Sequence, residues 1–185
     1  GLLVELGREE LRLGYEHRAI EALEKASGLI DSPAVRAAVS HDAEADLAFQ
    51  LGVAYMRLAE TENCCQRNTP ESCIVPIRGG GIHLNKEPAR QAIKHFTEAL
   101  GKSSNRSRVY FRSLWLLNIA SMTVGEYPDQ VPPAYRLPTA VFESEASFPH
   151  FTNISSRLGL DTFSMSGGAV ADAFDAMSSD RPYRQ

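Results

Sequence analysis

A recurring pattern of small and large apolar residues along the first 125 residues constrains the fold more than any other feature of this sequence. The first copy comprises Leu6, Gly7, Gly14, Ala19, Leu23 and Ala26. The second comprises Leu51, Gly52, Tyr55, Ala92, Phe96 and Ala99, and a third, partial copy comprises Leu114, Leu117, Asn118, Ser121, Gly125 and Tyr127. Within a helix, spacings of three and four residues, as in Ala19, Leu23 and Ala26, place such side chains on one face. The pattern therefore predicts amphipathic helices in close contact.

Helical periodicity predicts helices over 2–14, 17–30, 44–61, 88–101 and 107–124. Ser32 followed by Pro33 fits an N-cap and a first-turn proline, so a further short helix is expected there. The periodicity ends at Gly125, and residues 126–137 form a proline-rich connector. Short apolar runs at 140–142 and 151–154 predict two strands. The expected fold class is mainly α, with a short irregular or β C-terminal segment.

The repeated pattern resembles the tetratricopeptide repeat, a 34-residue helix–turn–helix unit. That resemblance implies an array of helical hairpins over residues 1–125. Tyr55 and Ala92 lie farther apart than in a regular unit, so the second repeat is interrupted by a loop inserted at 62–86. Leu23 stands where the family usually has an aromatic residue, a substitution of compatible volume. The alternative is a generic helical bundle, which would contain the same helices.

Composition and motifs argue against several functional classes. The 19 basic and 23 acidic residues are interspersed and give a net charge of −4. The sequence contains no basic run of the kind that binds nucleic acid. No window approaches the ~18 continuous apolar residues that a membrane helix requires. No nucleophile is paired with a base at a recognisable spacing, and we expect no enzymatic activity. The chain opens at Gly1 inside an amphipathic pattern, which indicates a piece of a longer protein.

The three cysteines fall together in the inserted loop, and three interpretations compete. A bridge from Cys73 to Cys64 or Cys65 would fasten the loop, with one thiol left over. All three could instead be reduced and structural. Alternatively, Cys64, Cys65, Cys73 and His83 could hold copper or zinc, whose preferred ligands are thiolate and imidazole. The apolar run from Ile74 to Ile77 also requires burial. The three glycines at 79–81 favour a turn over a phosphate-binding loop.

Several stretches resemble proteins of the ASPIC/UnbV, cartilage-acidic-protein-like group, which join tetratricopeptide repeats to FG-GAP/VCBS propeller repeats. They are Asn63-Cys64-Cys65, Glu71-Ser72-Cys73-Ile74, the glycine-rich stretch ending in His83, Leu114 to Asp129, Phe151 to Ile154, Leu158-Gly159-Leu160 and Ser166-Gly167-Gly168. The group's calcium loop begins as Asp172 to Asp175 does here. Met177 and Ser179 then replace two ligands, so tight calcium binding is not expected.

The resemblance implies an exported protein, periplasmic or extracellular, which favours the disulfide. It also implies binding rather than catalysis. We therefore expect a protein–protein interaction or assembly module whose partner is another protein or subunit, with neither nucleic acid nor a membrane-spanning segment involved. Residues 1–125 would form the helical repeats, and 126–185 the connector and a degenerate first propeller repeat. The alternative function is a metal-binding or redox accessory protein using the Cys/His loop.

Overall fold

The computed structural model describes residues 1–30, 32–143, 152, 154 and 156–159, and this part of the chain is mainly helical without a strand. The helices are α1 Leu2–Arg12, α2 Glu16–Ile30, α3 Pro33–Arg36, α4 His41–Glu60, α5 Glu87–Lys102 and α6 Arg108–Thr123. A π-helical turn, Thr61–Cys65, continues α4, and short 3-10 turns occupy Gly79–Gly81, Pro133–Tyr135, Thr139–Phe142 and Ser156–Leu158. Each predicted helix is confirmed to within three residues at either end, including the short one after Ser32.

Local sequence signals set where these helices begin and end. The hydroxyl groups of Ser40 and Ser107 accept hydrogen bonds from the amides of Ala43 and Tyr110, at 3.2 and 3.0 Å, and so cap α4 and α6. Gly14 and Gly125, with φ of 80° and 75°, follow α1 and α6. Because a side chain is strained at positive φ, glycine allows the chain to leave these helices sharply.

Close contact between helices depends on the small residues of the repeated pattern. A Cβ atom added at Gly7 would lie 2.6 Å from Leu23 Cγ, and one added at Gly52 would lie 2.5 Å from Phe96 Cε1. The alanines of the same pattern are buried: Ala19, Ala26, Ala92 and Ala99. Their predicted burial is therefore confirmed. Helix α1 packs on α2, α2 on α4, α4 on α5 and α5 on α6.

The two larger apolar clusters that result from this packing share α4. One lies between α1, α2 and α4 around Leu23 and Leu51. The other lies between α4, α5 and α6 around Phe96 and Leu117, and it extends to Val131 and Phe142. Helix α4 is thus packed on two sides, against α2 and against α5.

The proline-rich connector packs on α6, so the compact unit extends to Glu143. Buried Asn118 holds it by two hydrogen bonds. Its Nδ2 donates to Tyr135 O at 2.8 Å, and its Oδ1 accepts from Leu137 N at 3.1 Å. Tyr127 Oη donates to Leu137 O at 2.7 Å. The polar side chain of Asn118 is therefore fully used inside the apolar core.

The strand predicted at 140–142 is wrong, because this segment forms the 3-10 turn Thr139–Phe142. Val141 N donates locally to Pro138 O at 3.0 Å, and the side chain of Phe142 is buried against the rings of Trp115 and Tyr127. Because the backbone hydrogen bond of this segment is local and the Phe142 side chain is already buried, the segment does not need to pair with another strand. Most of 151–154 and the calcium-loop residues Asp172 to Ser179 lie outside the described residues.

Candidate functional site

Asn63, in the π-helical turn after α4, organises the inserted loop. Its Nδ2 donates to Ala59 O at 2.9 Å and to Asn85 O at 3.0 Å. Its Oδ1 accepts from the amides of Leu84 and Asn85 at 2.9 and 3.0 Å. One buried amide therefore ties the end of α4 to the last residues of the loop before α5.

His83 attaches the same end of the loop to α6, since its amide donates to Thr123 O at 2.8 Å. Its side chain is buried, and this burial lowers the pKa of the imidazole. Nε2 of His83 lies 3.4 Å from Sγ of Cys64, whereas Nδ1 is buried without a hydrogen-bond partner among the described residues. The structure thus brings together two of the predicted site residues that stand 19 positions apart.

Cys64 is half-buried, and its pKa is raised to about 12, first by burial and then by a contact with the Cys73 thiol. It keeps its proton at neutral pH. A protonated thiol is a poor nucleophile and a poor metal ligand, because both roles require the thiolate. The Cys64–His83 contact is therefore a neutral hydrogen bond between a thiol and an imidazole.

The other two predicted site residues lie at the surface of the loop. Cys65 and Cys73 are exposed, and Cys73 has a left-handed backbone with φ of 62°. All three thiols are free, so the expected bridge from Cys73 is not present in this structure. Among the described residues, no three His, Cys, Asp or Glu side chains converge closely enough to hold a metal ion. The four-ligand arrangement of Cys64, Cys65, Cys73 and His83 is not assembled.

The inserted loop folds largely onto itself. Gly80 N donates to the carboxylate of Glu71, and Thr69 Oγ1 donates to Gly80 O at 3.1 Å. A Cβ atom at Gly81 would lie 2.6 Å from Glu71 O, so glycine permits this close approach. The three glycines therefore form the predicted turn. A cavity of about 270 Å³ lies beside them, lined in part by Cys64, Arg67 and His83.

The expected burial of the apolar run in this loop is wrong for two of its three large residues. Ile74 is 59% exposed and Val75 is 39% exposed. Only Ile77 packs against the core between α4, α5 and α6. The hydrogen bonds of Thr69 and Glu71 to the glycine turn hold the loop locally, so Ile74 and Val75 are not drawn onto the helices.

A second site, which we call the aromatic groove, lies between α4 and α6. It has a volume of about 570 Å³ and is lined by Phe49, Gln50 and Val53 of α4 and by Phe111, Arg112, Trp115 and Leu116 of α6. Phe111 is 58% exposed and Trp115 is 43% exposed. The guanidinium of Arg112 lies 5.7 Å from the centre of the Phe49 ring. Sequence analysis missed this groove, although the spacing of Phe111 and Trp115 could have indicated it.

Comparisons with protein-family models, with curated proteins and with solved structures found no match for this chain. Within the described part of the chain, no helix is both long and apolar enough to cross a bilayer. The residues themselves therefore carry the functional argument.

Proposed function

We propose that this protein is a non-catalytic protein–protein interaction or assembly module, and that it binds a partner segment in the aromatic groove. The observation that carries the proposal is the exposure of Phe111 and Trp115 beside an ordered apolar wall. Exposed aromatic rings in a concave site are typical of interaction surfaces, where such residues supply much of the binding free energy.

The area available in the groove is large enough to matter. The exposed fractions of Phe111 and Trp115 together correspond to roughly 200 Å² of mostly apolar surface. Covering that surface would contribute about 5 kcal/mol before the entropy cost of association is subtracted. The α4 wall of the groove is packed from both sides, so little free energy would be lost in ordering it.

The tetratricopeptide-like pattern supports the same proposal. Stacked helical repeats form concave surfaces on which partner chains bind. In this interpretation α1 with α2, and α4 with α5, are two repeats, and α6 begins a third. The two helices that line the groove, α4 and α6, are then the first helices of neighbouring repeats.

Export of the protein, to the periplasm or outside the cell, is part of the proposal. It rests on the resemblance described above. Cys64 and Cys73 are free in this structure, but their side chains interact. In an oxidising compartment we expect these two thiols to form a disulfide, with Cys65 left free. The bridge would fasten the loop beside His83.

The proposal is tested by selecting peptides from a random displayed library on the immobilised protein. Selected peptides should not bind Phe111→Ala but should still bind Leu13→Ala. The second variant is the control, because it also removes an exposed apolar side chain, but at the C-terminal end of α1. Phe111 is largely exposed and belongs to none of the apolar clusters described above, so unchanged thermal melting is expected for both variants. Failure to select any peptide, or binding that Phe111→Ala leaves unchanged, would contradict the proposal.

A second candidate is a metal-binding or redox accessory function of the inserted loop, which the contact between Cys64 and His83 favours. Metal binding would have to displace the proton of the Cys64 thiol, after which these residues would provide one sulfur and one nitrogen ligand to copper or zinc. Metal analysis of the purified protein tests this candidate. One equivalent of metal that is lost in Cys64→Ser and retained in Cys65→Ser would establish it, and its absence from the wild-type protein would refute it.

A further inference from the structure

Four exposed residues form one stripe along α6. Arg108, Phe111, Arg112 and Trp115 stand at positions i, i+3, i+4 and i+7, a spacing that places them on the same helix face. Each of the four side chains is exposed. The stripe alternates positive charge with aromatic surface, and its last three members line the aromatic groove.

The positive charge of this stripe is not compensated within the described chain. Other arginines form ion pairs, such as Arg57 with Glu60 and Arg90 with Glu126. Arg108 and Arg112 form no ion pair with any described residue. No Asp or Glu occurs from residue 106 to residue 125, so α6 carries arginine as its only charged residue type.

The opposite wall of the groove adds no carboxylate to balance these arginines. Its lining residues on α4 are Phe49, Gln50 and Val53, which are uncharged. Asp46, one turn earlier on α4, is already paired with Arg8 of α1. A protein with a net charge of −4 therefore presents, in the part that the structure describes, a local positive surface beside the exposed rings of the aromatic groove.

We infer that the aromatic groove binds an acidic peptide segment in which carboxylates flank an aromatic or large aliphatic residue. This inference rests on the proposed function and specifies the chemistry of the partner. The apolar residue would cover Phe111 and Trp115, while its neighbouring carboxylates would pair with Arg108 and Arg112. Guanidinium groups bind carboxylates with two parallel hydrogen bonds, which gives orientation as well as attraction.

A nucleic acid strand could in principle use the same aromatic and basic groups. The observations favour a peptide, because the part of the site that the structure describes offers two arginines without an ion pair, and a protein of net charge −4 repels long polyanions. An oligonucleotide is therefore included in the test as a competing ligand.

The experiment begins with the charge composition of the peptides selected from the random library on the full chain. Clones selected on the wild-type protein should be enriched in Asp and Glu relative to the unselected library. Clones selected on the double variant Arg108→Glu, Arg112→Glu should be enriched in Lys and Arg instead. The control is Lys94→Glu, which makes the charge change of one of these two substitutions at an exposed position on α5 and should leave the selection acidic.

The tightest clone is then measured by fluorescence anisotropy against a version with every Asp and Glu changed to the amide. We expect about a fivefold loss of affinity for the amide version and for Arg112→Glu, since an exposed ion pair contributes up to about 1 kcal/mol. Affinity should also fall as the salt concentration rises.

Three outcomes would overturn the inference. Selected peptides that show no acidic enrichment, yet depend on Phe111, would refute the acidic partner and leave the interaction module standing. Displacement of the peptide by an oligothymidylate that binds more tightly, with the same dependence on Arg112, would indicate nucleic acid instead. Selection of no peptide at all would refute both the inference and the proposed function.

Discussion

Gly52 of α4 is packed against Phe96 of α5, and replacing it by alanine tests the central helix contact of this fold. The added Cβ would lie 2.5 Å from Cε1 and 2.6 Å from Cδ1 of the Phe96 ring, well inside van der Waals contact. Phe96 is fully buried and packs on Phe49 with ring centres 6.1 Å apart, so the ring cannot turn away freely. Overpacking of this kind costs about 1–3 kcal/mol.

Alanine also favours the helix over glycine by about 1 kcal/mol, which opposes this cost. We therefore expect Gly52→Ala to lower the free energy of unfolding by up to about 2 kcal/mol net. Gly28, exposed on α2, has nothing within 4 Å of an added Cβ. Gly28→Ala should consequently stabilise the protein by about 0.5–1 kcal/mol, and it is the matched control.

Urea unfolding followed by circular dichroism measures both changes. A double-mutant cycle with Phe96→Leu identifies the contact, because a smaller side chain leaves room for the new methyl group. Gly52→Ala should cost less in the Phe96→Leu background than in the wild type. If Gly52→Ala stabilises the protein as Gly28→Ala does, or if its cost is unchanged by Phe96→Leu, the proposed helix contact is wrong.

Three further predictions concern the inserted loop. Thiol counting on the denatured, unreduced protein isolated from an oxidising compartment should give one free thiol, with Cys64 and Cys73 bridged, whereas three free thiols would exclude the bridge. Asn63→Ala should lower the free energy of unfolding by about 1–3 kcal/mol, because the backbone amides of Leu84 and Asn85 lose their hydrogen-bond acceptor. An unchanged urea midpoint would refute the role of Asn63 in holding the loop. Burial lowers the pKa of His83 below its ordinary 6.5, because the fold favours the neutral imidazole. The stability that depends on the neutral form is therefore present above pH 6.5 and is lost as the pH falls through the lowered pKa. The urea midpoint should therefore be lower at pH 5.5 than at pH 7.5, and this decrease should be smaller in His83→Gln. An equal decrease in both proteins would contradict the assignment of the pH dependence to His83.

Sequence analysis predicted the helices well, because the signals for them are local. The apolar period, the capping serines and the glycines after α1 and α6 act over one or two helical turns. The burial of Ala19, Ala26, Ala92 and Ala99 could likewise be predicted from their spacing. The candidate site was predicted only in part, since Cys64 and His83 are in contact but Cys65 is exposed.

The failures share a physical cause, which is that long-range contacts decide the conformation of loops. Phe142 is buried by Trp115 and Tyr127, which no pattern within residues 140–142 could indicate, and so the strand prediction failed there. Ile74 remains exposed because polar contacts elsewhere in the loop set its conformation.

The sequence by itself determined that this chain is mainly helical, where each helix begins and ends, and which small residues lie where helices meet. These properties follow from backbone preference and from the period of apolar residues, both of which are local. Only the tertiary structure decided that Asn63 would hold the loop, that a thiol would contact His83, and that α4 and α6 would leave Phe111 and Trp115 exposed in a groove. Those features depend on the distance and angle between helices, which packing of the whole unit sets.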